Sequence, residues 1–251
     1  MAKVDYINMA ITQRCNLACR HCLRGNARNK VMEDSTIYNI FKDLDNLPYL
    51  NITGGEVLLH PDKLATVADA ILKNKTFVGR IGLVTNGTIW STSTEDAIKK
   101  LNRNHAVLMS ISSDPFHSEE KTRLKRHDFT DDILRFCEKN NIRLLHQGLS
   151  NGIIYQIGRA KLLTDQTLPE LRIVGRAYKK YNLQPYPTTS KEEALKNLLG
   201  IRSPFGFAMV NVDGAVGGYE EEWSYYDNPD NILFNVNDMT FAKFIESQQE
   251  Q

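Results

Sequence analysis

The sequence predicts an α/β fold: a partial (β/α)6 TIM-like barrel with a small C-terminal extension that contains a hairpin. Three observations carry this expectation. Short β-type runs alternate with helical patterns through roughly the first 180 residues, as parallel strands joined by helical crossovers do. The strand runs are apolar enough for burial on both faces. Five of them end in special residues, and barrels place their chemistry at the carboxyl ends of their strands.

In chain order, Tyr6–Thr12 (YINMAIT) is the first strand and leads directly into a cysteine loop. Asp34 or Ser35 caps a helix with Ile37, Ile40, Phe41 and Leu44 on its apolar face. Tyr49–Thr53 is a strand that stops at Gly54-Gly55, and Asp62–Lys73 is a helix with apolar residues at the 3.6 period. Gly79–Thr85 is a strand closed by Asn86-Gly87, followed by a helix over Thr94–Leu101. Ala106–Ser112 is a strand and Thr130–Asn140 a helix. Arg143–Gly148 begins a fifth strand, and Leu168–Tyr181 is helical.

The character then changes. Gln184–Ser190 reads as a linker, Lys191–Leu199 as a short helix, and Phe207–Val212 with Ala215–Gly217 as a hairpin turning at Asp213-Gly214. The polar tail Glu246–Gln251 is expected to fray. The expected division is a core over 1–183 and an extension over 184–251.

The 251 residues carry 31 basic and 30 acidic side chains, so no general charge argument favours a polyanion, and nucleic acid is not an expected partner. The densest basic run, Lys121–Arg126, reads as a solvated helix face. The N-terminus lacks an apolar signal core, and no stretch approaches the ~20 apolar residues of a membrane span. The expectation is a soluble cytoplasmic protein with no membrane partner. Four cysteines, three of them clustered, do not resemble an extracellular disulfide framework.

Those three stand in CNLACRHC as Cys15, Cys19 and Cys22. A cubane [4Fe–4S] cluster takes cysteine thiolates, usually four, so three from one loop leave one iron open to another molecule. Zinc needs a fourth ligand. His21, between two cysteines, turns poorly toward the same metal, whereas a nearby acid or the distant His60 could complete that site. Spacing favours the cluster and leaves zinc open.

CNLACRHC after a β-strand resembles the CxxxCxxC signature of the radical S-adenosylmethionine (radical SAM) enzymes, and further strand-end motifs follow in order over roughly residues 6–160. The resemblance implies that Cys15, Cys19 and Cys22 hold a [4Fe–4S] cluster whose open iron chelates the methionine part of S-adenosylmethionine. One electron, from an external reductant such as flavodoxin or ferredoxin, then cleaves the sulfonium. The resulting 5′-deoxyadenosyl radical abstracts a substrate hydrogen, the cofactors supplying the chemistry and the protein orienting them.

By the same resemblance, Thr53-Gly54-Gly55-Glu56 matches the GGE motif, with glycines that allow close backbone approach and Glu56 offered to the methionine ammonium. Asn86 in the TNG segment is a ligand contact or a left-handed turn former. In Ser110-Ile-Ser112-Ser113-Asp114, Ser112 is assigned to the SAM ribose or carboxylate, with Ser110 on the same strand face. Arg126 is assigned to the SAM carboxylate, in competition with Lys125 and Arg123. Ile157 or Gly158, before Arg159-Ala160, is placed against adenine through its backbone, and His21 packs beside adenine or donates to a cluster sulfide.

Val210-Asn-Val-Asp-Gly-Ala-Val216 resembles the SPASM extension of radical SAM maturases, but no cysteine follows Cys137, so no auxiliary cluster is implied. Such a tail favours a peptide or protein side chain as substrate. A small molecule such as a nucleotide or sugar derivative, and a cluster-binding scaffold or sensor without turnover, are the other readings. Cys137, sharing a helix side with Ile133 and Leu134, reads as a small buried hydrophobe. His117 is either a substrate contact or a surface turn residue. The acidic-aromatic stretch Tyr219–Tyr226 either reads a basic or hydroxylated substrate or packs on the barrel through Trp223.

Overall fold

The computed structural model describes residues 4–147, 153–168, 181–185, 190–201, 206–218 and 222–249. The elements in order begin with β1 (Tyr6–Thr12), α1 (Asp34–Phe41), β2 (Asn46–Gly54), α2 (Pro61–Asn74), β3 (Phe77–Thr85), α3 (Thr92–Asn102) and β4 (Ala106–Ser112). Then come α4 (Pro115–Arg123), α5 (Thr130–Lys139), β5 (Arg143–Gln147), β6 (Ile153–Tyr155) and β7 (Asn182–Gln184). The chain continues through α6 (Lys191–Leu198), β8 (Phe207–Val210), β9 (Ala215–Gly217), β10 (Phe234–Asn235) and α7 (Phe241–Gln249).

One sheet of the described residues has the order β10-β9-β8-β1-β2-β3-β4-β5. From β8 to β5 every pairing is parallel. β1 lies between β2 and β8, and after Tyr6 every residue of it is buried, which explains its apolar run. The sheet is open: the described strands form a partial barrel, not a closed one.

The helices start and stop where local chemistry dictates. Pro61 opens α2 without losing a hydrogen bond, and Lys75 closes it in the left-handed region at φ 56°. Ser91 caps α3 by accepting the Thr94 N–H at 3.2 Å, and a Ser190–Glu193 capping box starts α6. α1, α2 and α3 pack in succession, and their apolar faces join the strand interiors around Ile7, Met9, Leu50, Ile52 and Ile81.

The structure departs from the sequence expectations in four places. After β5 the expected barrel does not continue in the main sheet; β6 pairs with β7 in a separate small sheet. The C-terminal hairpin does join it, because β8 runs parallel to β1 with Tyr6 opposite Phe207. Of helix α4 the sequence reading held only the basic run Lys121–Arg126 as a solvated face, and Lys121 is buried instead. The buried side chains of α4 are Phe116, Glu120 and Lys121, so charge masks the periodicity. The expected tail is helical to Gln249, pinned by buried Phe241, Phe244 and Ile245. Of the expected helix Leu168–Tyr181, residues 169–180 lie outside the described residues.

Candidate functional site

The carboxyl ends of the parallel strands surround a cavity of about 360 Å³. Its wall is built first from the loop after β1. Thr12 bonds Lys30 and the Arg14 N–H through its hydroxyl, at 3.2 and 3.0 Å, and Gln13 and Arg28 close the loop base by backbone hydrogen bonds. Within the loop, Cys22 N–H donates to the Cys19 carbonyl at 3.1 Å, and the Leu17 N–H points at the Cys15 sulfur at 3.5 Å. All three clustered cysteines line the cavity, and none is in a disulfide.

Burial pushes the Cys15 thiol up to about 11, against the Leu17 N–H that favours its thiolate. Burial pushes Cys19 higher still, and the neighbouring Cys15 and Cys22 add to the effect. With Cys15 and Cys19 both held in the thiol form by burial, the three-cysteine donor set calls for a strongly cationic centre to draw out thiolates. The set therefore fits an iron–sulfur cluster, whose irons bind thiolate.

The end of β2 closes against this loop. The Gly55 N–H donates to the Thr12 carbonyl, and the Glu56 N–H to the Arg14 carbonyl, both at 2.8 Å. A Cβ on Gly54 would fall on the Thr12 oxygen and one on Gly55 on the Arg14 oxygen. The crowding that demands these glycines therefore comes from the protein backbone, while both residues also line the cavity.

Glu56 is fully buried and does not line the cavity. Its carboxylate accepts from Leu58 N at 3.0 Å, Thr85 Oγ1 at 2.8 Å and Asn86 N at 2.7 Å. Burial raises its pKa and the three hydrogen bonds oppose that rise. Its acceptor capacity goes to fastening the end of β2 to the end of β3.

Asn86 lines the cavity, and its side-chain orientation is fixed. Its Oδ1 accepts the Thr88 N–H and hydroxyl, so its Nδ2 faces Asn16 Oδ1 at 3.0 Å and Cys15 Sγ at 3.8 Å. Gly87, one residue on, takes the left-handed turn at φ 72°.

Ser112 lines the cavity; Ser110, two residues earlier, does not. Arg126 is exposed beyond the end of α4 and also lies off the cavity wall. Arg24 and Arg159 are the arginines on that wall, and the sequence reading missed both in this role. Arg159 donates from Nε to the Cys19 carbonyl at 2.8 Å and from its backbone N–H to Cys22 at 3.0 Å. Gly158 precedes it at φ 57°, where a Cβ would fall on the Leu23 carbonyl. In this structure Gly158 packs on the cysteine loop and is not part of the cavity lining.

The C-terminal segment adds Trp223 to the wall. Trp223 is buried under the Arg24 guanidinium, 4.7 Å from its ring centroid, and donates its backbone N–H to the Arg24 carbonyl. Arg24 also reaches Thr53 Oγ1 at 3.1 Å. Packing through Trp223 is what the structure shows; Tyr219 to Glu221 lie outside the described residues.

His21 is buried on the cavity wall with its ring stacked on Phe116 at 4.5 Å. Burial holds its pKa below the ordinary value, with Asp114 opposing. Asp114 caps α4, and His117 bonds it from Nδ1 at 2.7 Å. His117 is thus a cavity residue of a helix, not a turn histidine. The signal for it was Asp114-Pro115, a cap followed by a proline at the first helical position. Cys137 is buried, its thiol 3.6 Å from Met109 Sδ, as expected of a small core residue.

A family model of the Radical SAM superfamily matches residues 9–146. A GTP 3′,8-cyclase of Aliarcobacter butzleri is 26% identical over 144 residues, 55% of this chain and 43% of that protein. One from Clostridium perfringens is 24% identical over 152 residues, 57% of this chain and 45% of that one. The matched region thus spans less than half the length of these curated relatives. The solved structure of native anSMEcpe with bound AdoMet and Cp18Cys peptide superposes with a TM-score of 0.57 at 14% identity. It covers 97% of this chain and 80% of the other, a likeness of fold. The superfamily consists of enzymes that use a [4Fe–4S] cluster and S-adenosylmethionine, and the match over more than half of its residues shows that this chain belongs to the Radical SAM superfamily.

Proposed function

We propose that this protein binds a [4Fe–4S] cluster through Cys15, Cys19 and Cys22, binds S-adenosylmethionine in the adjoining cavity, and abstracts a hydrogen from a peptide or protein side chain. The observation that carries this reading is the placement of three cysteines from one loop on a cavity wall completed by Gly54, Gly55, Asn86 and Ser112. When bound, the cofactors supply reductive cleavage of the sulfonium and the hydrogen-abstracting radical. The chain's own residues hold and shield them. Arg159 and the Gly54-Gly55 turn fix the cysteine loop, Glu56 fixes Asn86, and Trp223 closes the cavity from the C-terminal side. Water exclusion by that wall protects a reactive intermediate.

The peptide reading draws on the fold neighbour whose structure holds a peptide, and on the C-terminal segment that forms part of the wall. An external one-electron reductant of the flavodoxin or ferredoxin type is the proposed partner. The experiment is anaerobic reconstitution, with iron and sulfide counted, followed by dithionite and S-adenosylmethionine. About four irons and four sulfides and formation of 5′-deoxyadenosine support the reading; one zinc without sulfide overturns it.

A second reading is a small nucleotide substrate, favoured by the relatives named GTP 3′,8-cyclase. Deuterium carried from a labelled peptide into 5′-deoxyadenosine supports the first reading. Deuterium carried from labelled GTP supports the second.

A further inference from the structure

The same cavity wall holds a second cluster of metal-ligating side chains that includes none of the three cysteines. His21, Asp114 and His117 each present a ligand atom, and the three atoms lie within 4.8 Å of one another. We propose that they form a mononuclear site for a divalent first-row transition-metal ion, with its open coordination positions facing the cavity.

The arrangement has the features such a site requires. His21 Nε2 lies 3.3 Å and His117 Nδ1 2.7 Å from the same atom, Asp114 Oδ2. Two imidazoles and one carboxylate, with positions left open, suit zinc, iron(II) or manganese(II) better than calcium or magnesium. Asp114 and His21 are also held by contacts outside the junction. Asp114 Oδ1 accepts the His117 backbone N–H at 3.1 Å, which fixes the carboxylate at the start of α4. Phe116 stacks within 16° of parallel on the His21 ring. Asp114 and His21 are buried, and all three residues line the cavity.

Hydrogen bonding alone makes two imidazoles compete for one acceptor, since both must direct N–H groups at the same carboxylate oxygen. With an ion on Nε2, His21 carries its proton on Nδ1, which is buried and turned away from the junction. An ion at the junction replaces the two converging protons and uses the lone pairs they occupied. The ligand it takes from the cavity is an oxygen or nitrogen of the bound molecule, which the site would orient. No electron transfer is involved in this role.

The proposal stands apart from the cluster reading, and its test keeps them apart. A chain carrying Cys15→Ala, Cys19→Ala and Cys22→Ala cannot hold the cluster. Dialysed with cobalt(II) and desalted, it is expected to keep one cobalt per chain with visible ligand-field absorption. His117→Gln in that background should weaken binding by about tenfold or more, while His60→Gln should leave it unchanged. If the cysteine-free chain fails to fold, the cluster-loaded protein is titrated with manganese(II), and loss of the free-ion paramagnetic signal counts the site. Retention of neither ion, or equal retention in His117→Gln, overturns the proposal. Iron and sulfide counts from the same samples report on the cluster separately.

Discussion

The Glu56 carboxylate accepts the backbone N–H of Asn86 at 2.7 Å, joining the ends of the neighbouring strands β2 and β3. The carboxylate is buried, and two further donors complete its shell. Glu56→Ala strands three donors and should cost roughly 2–4 kcal/mol in urea unfolding. Glu56→Gln keeps the shape but turns an NH2 against a donor, at about 1–3 kcal/mol. Both variants should lose iron on desalting faster than wild type, because Asn86 and the loop move with them.

Arg126 and Arg159 separate the sequence assignment from the structural one. Arg126→Ala should change stability by less than about 0.5 kcal/mol and leave S-adenosylmethionine affinity unchanged by calorimetry. Arg159→Leu removes the donor to the Cys19 carbonyl. It should lower the iron content of reconstituted protein by more than half, roughly the effect of one lost charged hydrogen bond on a loop. Equal behaviour of the two variants would contradict the geometry described.

Trp223 offers an optical test. Its ring lies on the cavity wall beneath Arg24. Trp223→Ala removes a buried indole and should cost about 3–5 kcal/mol. In wild type, S-adenosylmethionine should change tryptophan fluorescence, and Trp223→Phe should abolish that change while Trp90→Phe keeps it.

His60 sets a pH dependence. Burial holds its imidazole below the ordinary value, and Arg14 and Lys63 add to this against Asp62. The folded chain therefore binds fewer protons at His60 than the unfolded chain once pH falls below about 6.5. That contribution to stability is complete above this pH and is lost as pH falls toward the folded value. Thermal midpoints measured between pH 7.5 and 5.5 should fall less in His60→Gln than in wild type.

Legibility followed the range of the interactions involved. Ala106–Ser112 was readable to the residue because its apolar run and its ending serine are both local. The cysteine loop and the Gly54-Gly55 turn were readable because their residue types have few other uses. Arg159 was not, because its partner is a backbone carbonyl 140 positions away. Glu56 was legible as a motif residue but not as an inward anchor; its direction depends on β3, which the motif does not contain. α4 escaped because two of its three buried side chains are charged. The hairpin was visible, yet its docking beside β1 is a pairing between the two ends of the chain.

That pairing has a consequence for biosynthesis. β1 leaves the ribosome well before β8, and the Gly206 N–H bonds Asp5 across 201 positions at the foot of the β1–β8 ladder. At about 5–20 residues per second, the β8 side of β1 waits roughly 10–40 s for its partner. During that interval an apolar strand presents an unpaired edge to solvent or to a chaperone. Metal loaded into the cysteine loop before β8 arrives would therefore enter a half-walled cavity, since Trp223 is translated later still.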